Sequence, residues 1–412
     1  MRLLSALLAL AAFAAPPLPT IEEYQKRRAA LRTALPDAAI VLHASSDRSG
    51  DPRVPLIQEP NFFYLTGWTE PGAVLLLLPK GSQPEEILFL PPRNERKERY
   101  EGRHWAAGDK DVETKSGFAK VMSTGTWEDE FKRLAAKCSK VYALKPSGGA
   151  WKTLPVEREV LDATGAIARL RMVKSQTEID LLQHAIDVTA RAHLAAWKRA
   201  KAGLYEYQIE ATMTEVMQEA GCKRHAYRPV IGSGPNSVIL HYGANRRRMD
   251  SGEMLVADVG AECSDYAADI TRSIPVNGKF NPRQREIYEL VLGAQKAAIA
   301  AVRPGEMLVR GALVEAAKQY MDKHGKPING KPPSTYFVHG IGHHVGLEVH
   351  DATAADVPLE PGNVITIEPG MYIPEENFGV RIEDMVLVTE KGGIVLSRAL
   401  PREIAQIEKR MR

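Results

Sequence analysis

The sequence predicts a two-domain α/β (α+β) chain whose C-terminal domain is folded from two related halves. Three observations predict it. At 412 residues and 44% hydrophobic, the chain can bury two ordinary cores. Ahead of the turn-rich PSGGAW (146–151), β-type runs broken by Pro and Gly clusters alternate with helical spacing. Beyond it, one pattern of helices, glycines and acids occurs twice, 110 positions apart. The expected layout is a signal segment over 1–19, a mixed α/β domain over 20–168 and a repeated domain over 169–412.

In order along the chain, Arg2 precedes an apolar run from Leu3 to Ala15, and Ala12-Phe13-Ala14 has the form of a signal-peptidase site, followed by Pro16, Pro17 and Pro19. A cleaved export signal is therefore expected, and with it a secreted or periplasmic location. Ile21 to Leu35 reads as a helix. Strands are expected at AIVLH (39–43), FFYLTGW (62–68), AVLLLLP (73–79), EILFLP (86–91) and KVYALKP (140–146), with a helix at 127–138. Ser175 and Glu178 form a capping box at the start of a long helix, 175–200.

Bulk properties exclude several functions. A net charge of +3 and one short basic run, Arg246-Arg247-Arg248, without interleaved aromatics argue against nucleic-acid binding. That run reads as a solvated loop. No apolar stretch reaches the roughly 18–20 residues of a membrane span. Cys138, Cys222 and Cys263 are odd in number and widely spaced, so three buried thiols are expected rather than a disulfide framework.

Within the repeat, MDSGEMLVADVG (249–260) aligns with PLEPGNVITIEPG (358–370), matching Gly252 with Gly362, Asp258 with Glu368 and Gly260 with Gly370. His241 aligns with His350 at a separation of 109. Helices at 176–202 and 282–303 open the two halves. A hairpin centred on Cys263-Ser264 sets Asp258 directly opposite Asp269, an arrangement that like charges disfavour without a cation. VITIEPG ends a strand at Glu368, and GVRIEDMVLV (379–388) reads as one strand carrying Glu383. Its neighbour Asp384 points to the opposite face and reads as a surface residue. Buried carboxylates need a partner charge or a metal. Four of them, with a histidine cluster between, point to a two-metal site whose oxygen donors suit Mn²⁺ or a similar ion. That cluster, HGIGHHVGLEVHD (339–351), holds four of the chain's 11 histidines.

D-x-G…D-I-T-R, H-G-x-G-H…G-L-x-V-H-D, I-E-P-G and R-I-E-D resemble the pita-bread (creatinase/aminopeptidase-like) metallopeptidases, the aminopeptidase P and prolidase group, over roughly residues 170–405. NFFYLTGWTEPGAVLLLLP (61–79) is similar to the N-terminal domain of that group. The resemblance implies two divalent ions, most simply Mn²⁺. Asp258 would be a terminal ligand, Asp269 and Glu383 bridges, and His343 and Glu368 ligands to the second ion. It implies hydrolysis of the Xaa-Pro bond at peptide N-termini by a hydroxide bridging the metals. Glu368 would act as base, with His241, His339 and His350 lining the substrate side. Arg381 would orient a bridging carboxylate or the substrate, the alternative for it being a surface ion pair. His344 is expected to pack or face solvent. The implied partners are peptides with proline at position 2, and the implied assembly is a homo-oligomer, a dimer or tetramer. A dipeptide-restricted prolidase is the alternative. A non-catalytic peptide-binding member or an amidinohydrolase would lack some of the five ligands. A methionine aminopeptidase would lack the N-terminal domain.

Overall fold

The computed structural model describes residues 15–46, 56–145 and 154–412, so most of the expected signal and the whole PSGGAW break lie outside the described residues. Contacts divide the chain into Pro19–Arg171 with Thr353–Ala355, and Met172–Ala352 with Asp356–Arg412.

The first unit is built on a six-stranded sheet of β1 (Ala38–His43), β2 (Val74–Leu77), β3 (Glu86–Leu90), β4 (Val121–Ser123), β5 (Lys140–Ala143) and β6 (Val160–Asp162), in the order β4-β3-β2-β1-β5-β6. The central β1, β2 and β3 run antiparallel, while β4, β5 and β6 add on in parallel. Val41, Leu76, Phe89 and Val141 pack with Phe131 and Leu134 of the Trp127–Ala135 helix in the core. One expected strand is a helix. The FFYLT of that run lies in the helix Pro60–Thr66, where the Glu59 side chain caps the Phe62 amide, proline occupies the first turn and Gly67 closes the end at φ 64°. All five residues from Phe62 to Thr66 are buried, so the run is apolar on every side and periodicity cannot distinguish helix from strand.

The second unit carries the repeat. Its first half opens with helices Gln176–Arg199, where the Ser175–Glu178 capping box is present, and Glu206–Glu219. The second opens with Pro282–Ala301 and Ala312–His324. The first half forms the sheet β12-β9-β8 from β8 (Val230–Ser233), β9 (Met254–Asp258) and β12 (Thr271–Pro275). The second forms β13-β16-β17 from β13 (Val364–Ile367), β16 (Asp384–Thr389) and β17 (Gly392–Val395). The turns entering β9 and β13 use Gly252 and Gly362 at φ 86° and 94°, a left-handed conformation that glycine adopts without strain.

Three expectations about the acids need correction. The hairpin turn is Ser264-Asp265, both at positive φ (52° and 66°) as a type I′ turn requires. It therefore pairs β10 (Ala261–Cys263) with β11 (Tyr266–Ala267), and Asp258 lies opposite Thr271 rather than Asp269. A two-residue shift keeps every side chain on its face, and Asp269 falls in the break between β11 and β12. The 379–388 run is also two strands: β15 (Phe378–Arg381), paired with β14 (Gly370–Ile373), and β16, paired with β13 and β17. Glu383 lies between them, and its amide donates to the Thr271 carbonyl at 3.1 Å, joining the halves. The four acids thus sit at strand ends and breaks, not strand centres.

Asp384 does face away from Glu383, but toward a buried network rather than solvent. It accepts from Arg272 (2.7 Å), Ser397 (2.6 Å), Arg402 (3.0 Å) and Gln295 (3.1 Å). The thiol expectation fails for two cysteines. Cys222 and Cys263, 41 positions apart, form a disulfide, because β7 (Arg224–His225) pairs with β10 and brings them together. Cys138 is free and buried. In the basic run Arg246 and Arg248 are exposed, whereas Arg247 pairs with Glu253 at 2.6 Å. No helix among the described residues is long and apolar enough to cross a membrane.

Candidate metal centre

Each strand break delivers one acid to the same place. Asp258 ends β9, Asp269 precedes β12, Glu368 is the first residue past β13 and Glu383 separates β15 from β16. His343 arrives on a segment that runs beside β13 like a further strand. Thr366 N–H donates to the His343 carbonyl (2.8 Å), Glu368 N–H to Ile341 (2.9 Å) and Val345 N–H to Val364 (3.0 Å). Gly342 permits this approach, since a Cβ there would lie 2.0 Å from the Thr366 carbonyl oxygen.

The tautomer of His343 follows from its neighbours. Nδ1 lies 3.1 Å from the His344 carbonyl, which can only accept, so Nδ1 carries a proton and Nε2 is the nitrogen turned toward the acids. Nε2 faces Asp269 Oδ2 at 3.3 Å and Glu368 Oε1 at 3.6 Å. One ligand atom from each of Asp269, His343 and Glu383 lies within 4.8 Å of the others. Thr366 Oγ1 donates to Glu368 Oε1 (3.2 Å), and Thr271 Oγ1 to Glu383 Oε2 (2.7 Å).

Charge here is unbalanced. Burial, then the Asp258 charge, pushes the Asp269 carboxyl well above its ordinary range. Burial, then Asp269, Glu368 and Asp258, does the same to Glu383. Glu368 is raised by burial even though His343 and Arg381 oppose the shift. Negative charge is packed beyond what nearby cations compensate, which divalent ions would relieve. Carboxylate oxygens with one imidazole suit hard or borderline divalent ions, so these residues fit a metal centre.

Arg381 is buried, which excludes the surface-pair alternative. Its Nη2 donates to Asp258 Oδ2 (2.6 Å), the carboxylate expected as a terminal ligand rather than as a bridge. Its Nη1 donates to the Tyr372 hydroxyl (2.8 Å), which stands 2.9 Å from His339 Nε2. His339 Nδ1 faces the Gly340 carbonyl, so Tyr372 is the donor to Nε2. Burial and then Arg381 lower the His339 pKa to about 4, keeping the ring neutral. His350 is exposed, with its ring centroid 4.0 Å from that of His343. His241, also exposed, acts electrostatically on both His339 and His350. His344 is buried and packs.

Sequence reasoning missed Tyr227, Thr271, Thr366 and Tyr372. Thr366 had a signal, since it lies two positions before Glu368 on the same strand face. Tyr227 had none. Its hydroxyl meets Asp258 Oδ1 at 2.5 Å and Asp269 Oδ1 at 2.6 Å.

The chain is similar to known proteins along most of its length. The model of metallopeptidase family M24 matches residues 180–390, and that of the aminopeptidase P N-terminal domain matches residues 24–142. The Xaa-Pro aminopeptidase of Haemophilus influenzae is 34% identical over 420 residues, spanning 95% of this chain and 97% of its own length. Among solved structures, a putative aminopeptidase P from Bacillus anthracis matches with a TM-score of 0.87 and 31% identity, over 96% of this chain and 99% of its own. A zinc-substituted aminopeptidase P of E. coli in complex with product matches with a TM-score of 0.86 and 28% identity, over the same shares of the two chains.

Proposed function

The chain belongs to metallopeptidase family M24, and from that premise we infer that it is a metal-dependent Xaa-Pro aminopeptidase, releasing the N-terminal residue of peptides with proline at position 2. Its fold is the pita-bread arrangement behind an aminopeptidase P-type domain. The observation that carries the reading is the convergence of four acids and the Nε2 of His343 at the seam between the halves.

Asp258, Asp269, His343, Glu368 and Glu383 would hold two divalent ions, of which Mn²⁺ is the one proposed. Such ions, when bound, supply an activated water and polarise the scissile carbonyl. The remaining work falls to the chain. Glu368, whose carboxyl is raised by burial, accepts the proton of the attacking water. His350 and His241 donate to the developing oxyanion and to the departing proline nitrogen, which as a tertiary amide leaves only once protonated. Arg381 fixes Asp258 and Tyr372, and the neutral His339 holds the Tyr372 hydroxyl from the other side.

Export to an oxidising compartment is part of the proposal. The N-terminal pattern suggests it, and the Cys222–Cys263 disulfide supports it. Assembly as a dimer or tetramer is proposed on the family resemblance. The test follows release of the N-terminal residue from Xaa-Pro-Yaa and Xaa-Pro peptides by purified protein, with and without Mn²⁺. Metal-dependent cleavage of the tripeptide is expected. Cleavage of the dipeptide alone would assign a dipeptidase, and cleavage that ignores metal would overturn the reading.

A further inference from the structure

Tyr227 stands where two short strands end at the acids. It lies two residues past β7, and the Ala226 amide donates to the Gly260 carbonyl (2.9 Å), so the β7–β10 pairing carries on beyond the named strands. The ring packs on Gly260, where a Cβ would stand 3.0 Å from Tyr227 Cε1 and 1.8 Å from the Ala268 carbonyl oxygen. From this ledge one hydroxyl reaches both acids of the first half, Asp258 and Asp269, on the Oδ1 of each. The other oxygens face elsewhere: Asp258 Oδ2 toward Arg381 (2.6 Å) and Asp269 Oδ2 toward His343 Nε2 (3.3 Å). The phenol, with one proton shared between the two Oδ1 atoms, ties the rotation of both carboxylates to one point.

The far end of the same ledge is tied down. Cys222, two residues before β7, is cross-linked to Cys263 at the end of β10. Between them Arg224 donates to both oxygens of Glu262, at 2.8 and 2.6 Å. The clamp on the acids is neutral, and that matters physically. A lysine or arginine at position 227 could hold two carboxylates equally well, but it would cancel the charge that attracts a cation. A phenol orients them and leaves that charge in place.

We propose that Tyr227 is a positioning residue of the metal centre, holding Asp258 and Asp269 as a preformed pair for a cation. The proposal rests on the metal reading given above, and the experiment separates the two. Binding of Mn²⁺ alone, without peptide, is measured on the full chain by the loss of the free-ion paramagnetic resonance signal. The proteins compared are wild type, Tyr227→Phe and, as a control for the metal reading itself, Asp269→Asn.

Tyr227→Phe is expected to bind at least one ion about 10- to 100-fold more weakly. Raising Mn²⁺ recovers its peptidase turnover, with the peptide KM unchanged. Metal-free unfolding of the variant matches wild type, because phenylalanine fills the same space. Unchanged Mn²⁺ affinity overturns the proposal. A raised KM that excess Mn²⁺ does not correct assigns the phenol to substrate and overturns it too. Earlier unfolding of the metal-free variant assigns it to the fold, with the same consequence. If wild type and Asp269→Asn both fail to bind Mn²⁺, it is the metal reading that falls.

Discussion

Gly342→Ala tests how the metal-side histidine is held. The added methyl would lie 2.0 Å from the Thr366 carbonyl oxygen and 2.9 Å from Thr366 Oγ1, where contacts under 3.0 Å do not persist. The 341–345 segment must therefore retreat from β13 by about 1 Å, the difference between 2.0 and 3.0 Å. Retreat strains four contacts: Thr366 N–H to His343, His343 N–H to Thr366 Oγ1, Glu368 N–H to Ile341 and Val345 N–H to Val364. At about 1 kcal/mol each if lost outright, with overpacking of roughly 1–3 kcal/mol, up to about 5–7 kcal/mol of stability is at stake. The same movement carries His343 Nε2 away from Asp269 and Glu368. A misplacement of about 1 Å at a catalytic centre can lower turnover on the order of 100-fold. Urea unfolding, Mn²⁺ titration and tripeptide hydrolysis read the three effects. Wild-type metal affinity and turnover in Gly342→Ala would refute the reasoning, since it leaves the segment no other direction to move.

Three further outcomes follow from residues other than the ligands. Reducing Cys222–Cys263, or replacing both residues with serine, opens a loop spanning 41 positions; loop-closure entropy sets the cost at about 4 kcal/mol. Denaturation with and without reductant measures it, and coincident curves would contradict it. His193 is fully buried, and burial followed by the Arg272 charge lowers its pKa to about 4. The unfolded ring, near 6.5, binds the proton first, so this stability is present above about pH 6.5 and is lost as pH falls toward 4, amounting to about 3 kcal/mol. His193→Gln should lose less stability than wild type between pH 7.5 and 4.5, and equal losses would count against the assignment. Asp384→Ala leaves Arg272, which is 0% exposed, without its carboxylate. An uncompensated buried charge costs about 3–5 kcal/mol, read as a lowered melting temperature of the metal-free protein; an unchanged one would show that Arg272 is satisfied by carbonyls alone.

The candidate ligands were legible because they go against local grain. Asp258, Glu368 and Glu383 stand in or beside apolar β-type runs that seldom carry acids, and the repeat superposes acid on acid. What escaped was decided by partners distant in sequence. The hairpin register turned on which two residues take positive φ, and these are Ser264-Asp265, with Cys263 paired in β10 rather than at the turn. The Pro60–Thr66 helix escaped because burial on all sides erases the amphipathic signal. Asp384 was taken for a surface residue because alternation gives a side chain's face but not what covers it. Arg272, Gln295, Ser397 and Arg402 converge on it from three separate segments. Tyr227 reaches the acids across 31 and 42 positions, and no spacing rule connects them.

The two halves are alike in chain path but unequal in reach. Where the first half places Asp258 and Asp269, the second places Glu368 and Glu383, each one methylene longer. Their companions differ as well. The first-half acids lean on a tyrosine bonded to carboxylates alone, while the tyrosine of the second half is bonded to an arginine and a histidine. A cleft made from two identical halves would look the same to a peptide entering in either direction. This one has a polarity: Tyr227 joins the two first-half acids, while Arg381, Tyr372 and His339 form a hydrogen-bonded chain leading off one of them, Asp258. An enzyme that counts residues from one terminus must tell the two ends of its substrate apart, and here that distinction is built into the mismatch between the halves.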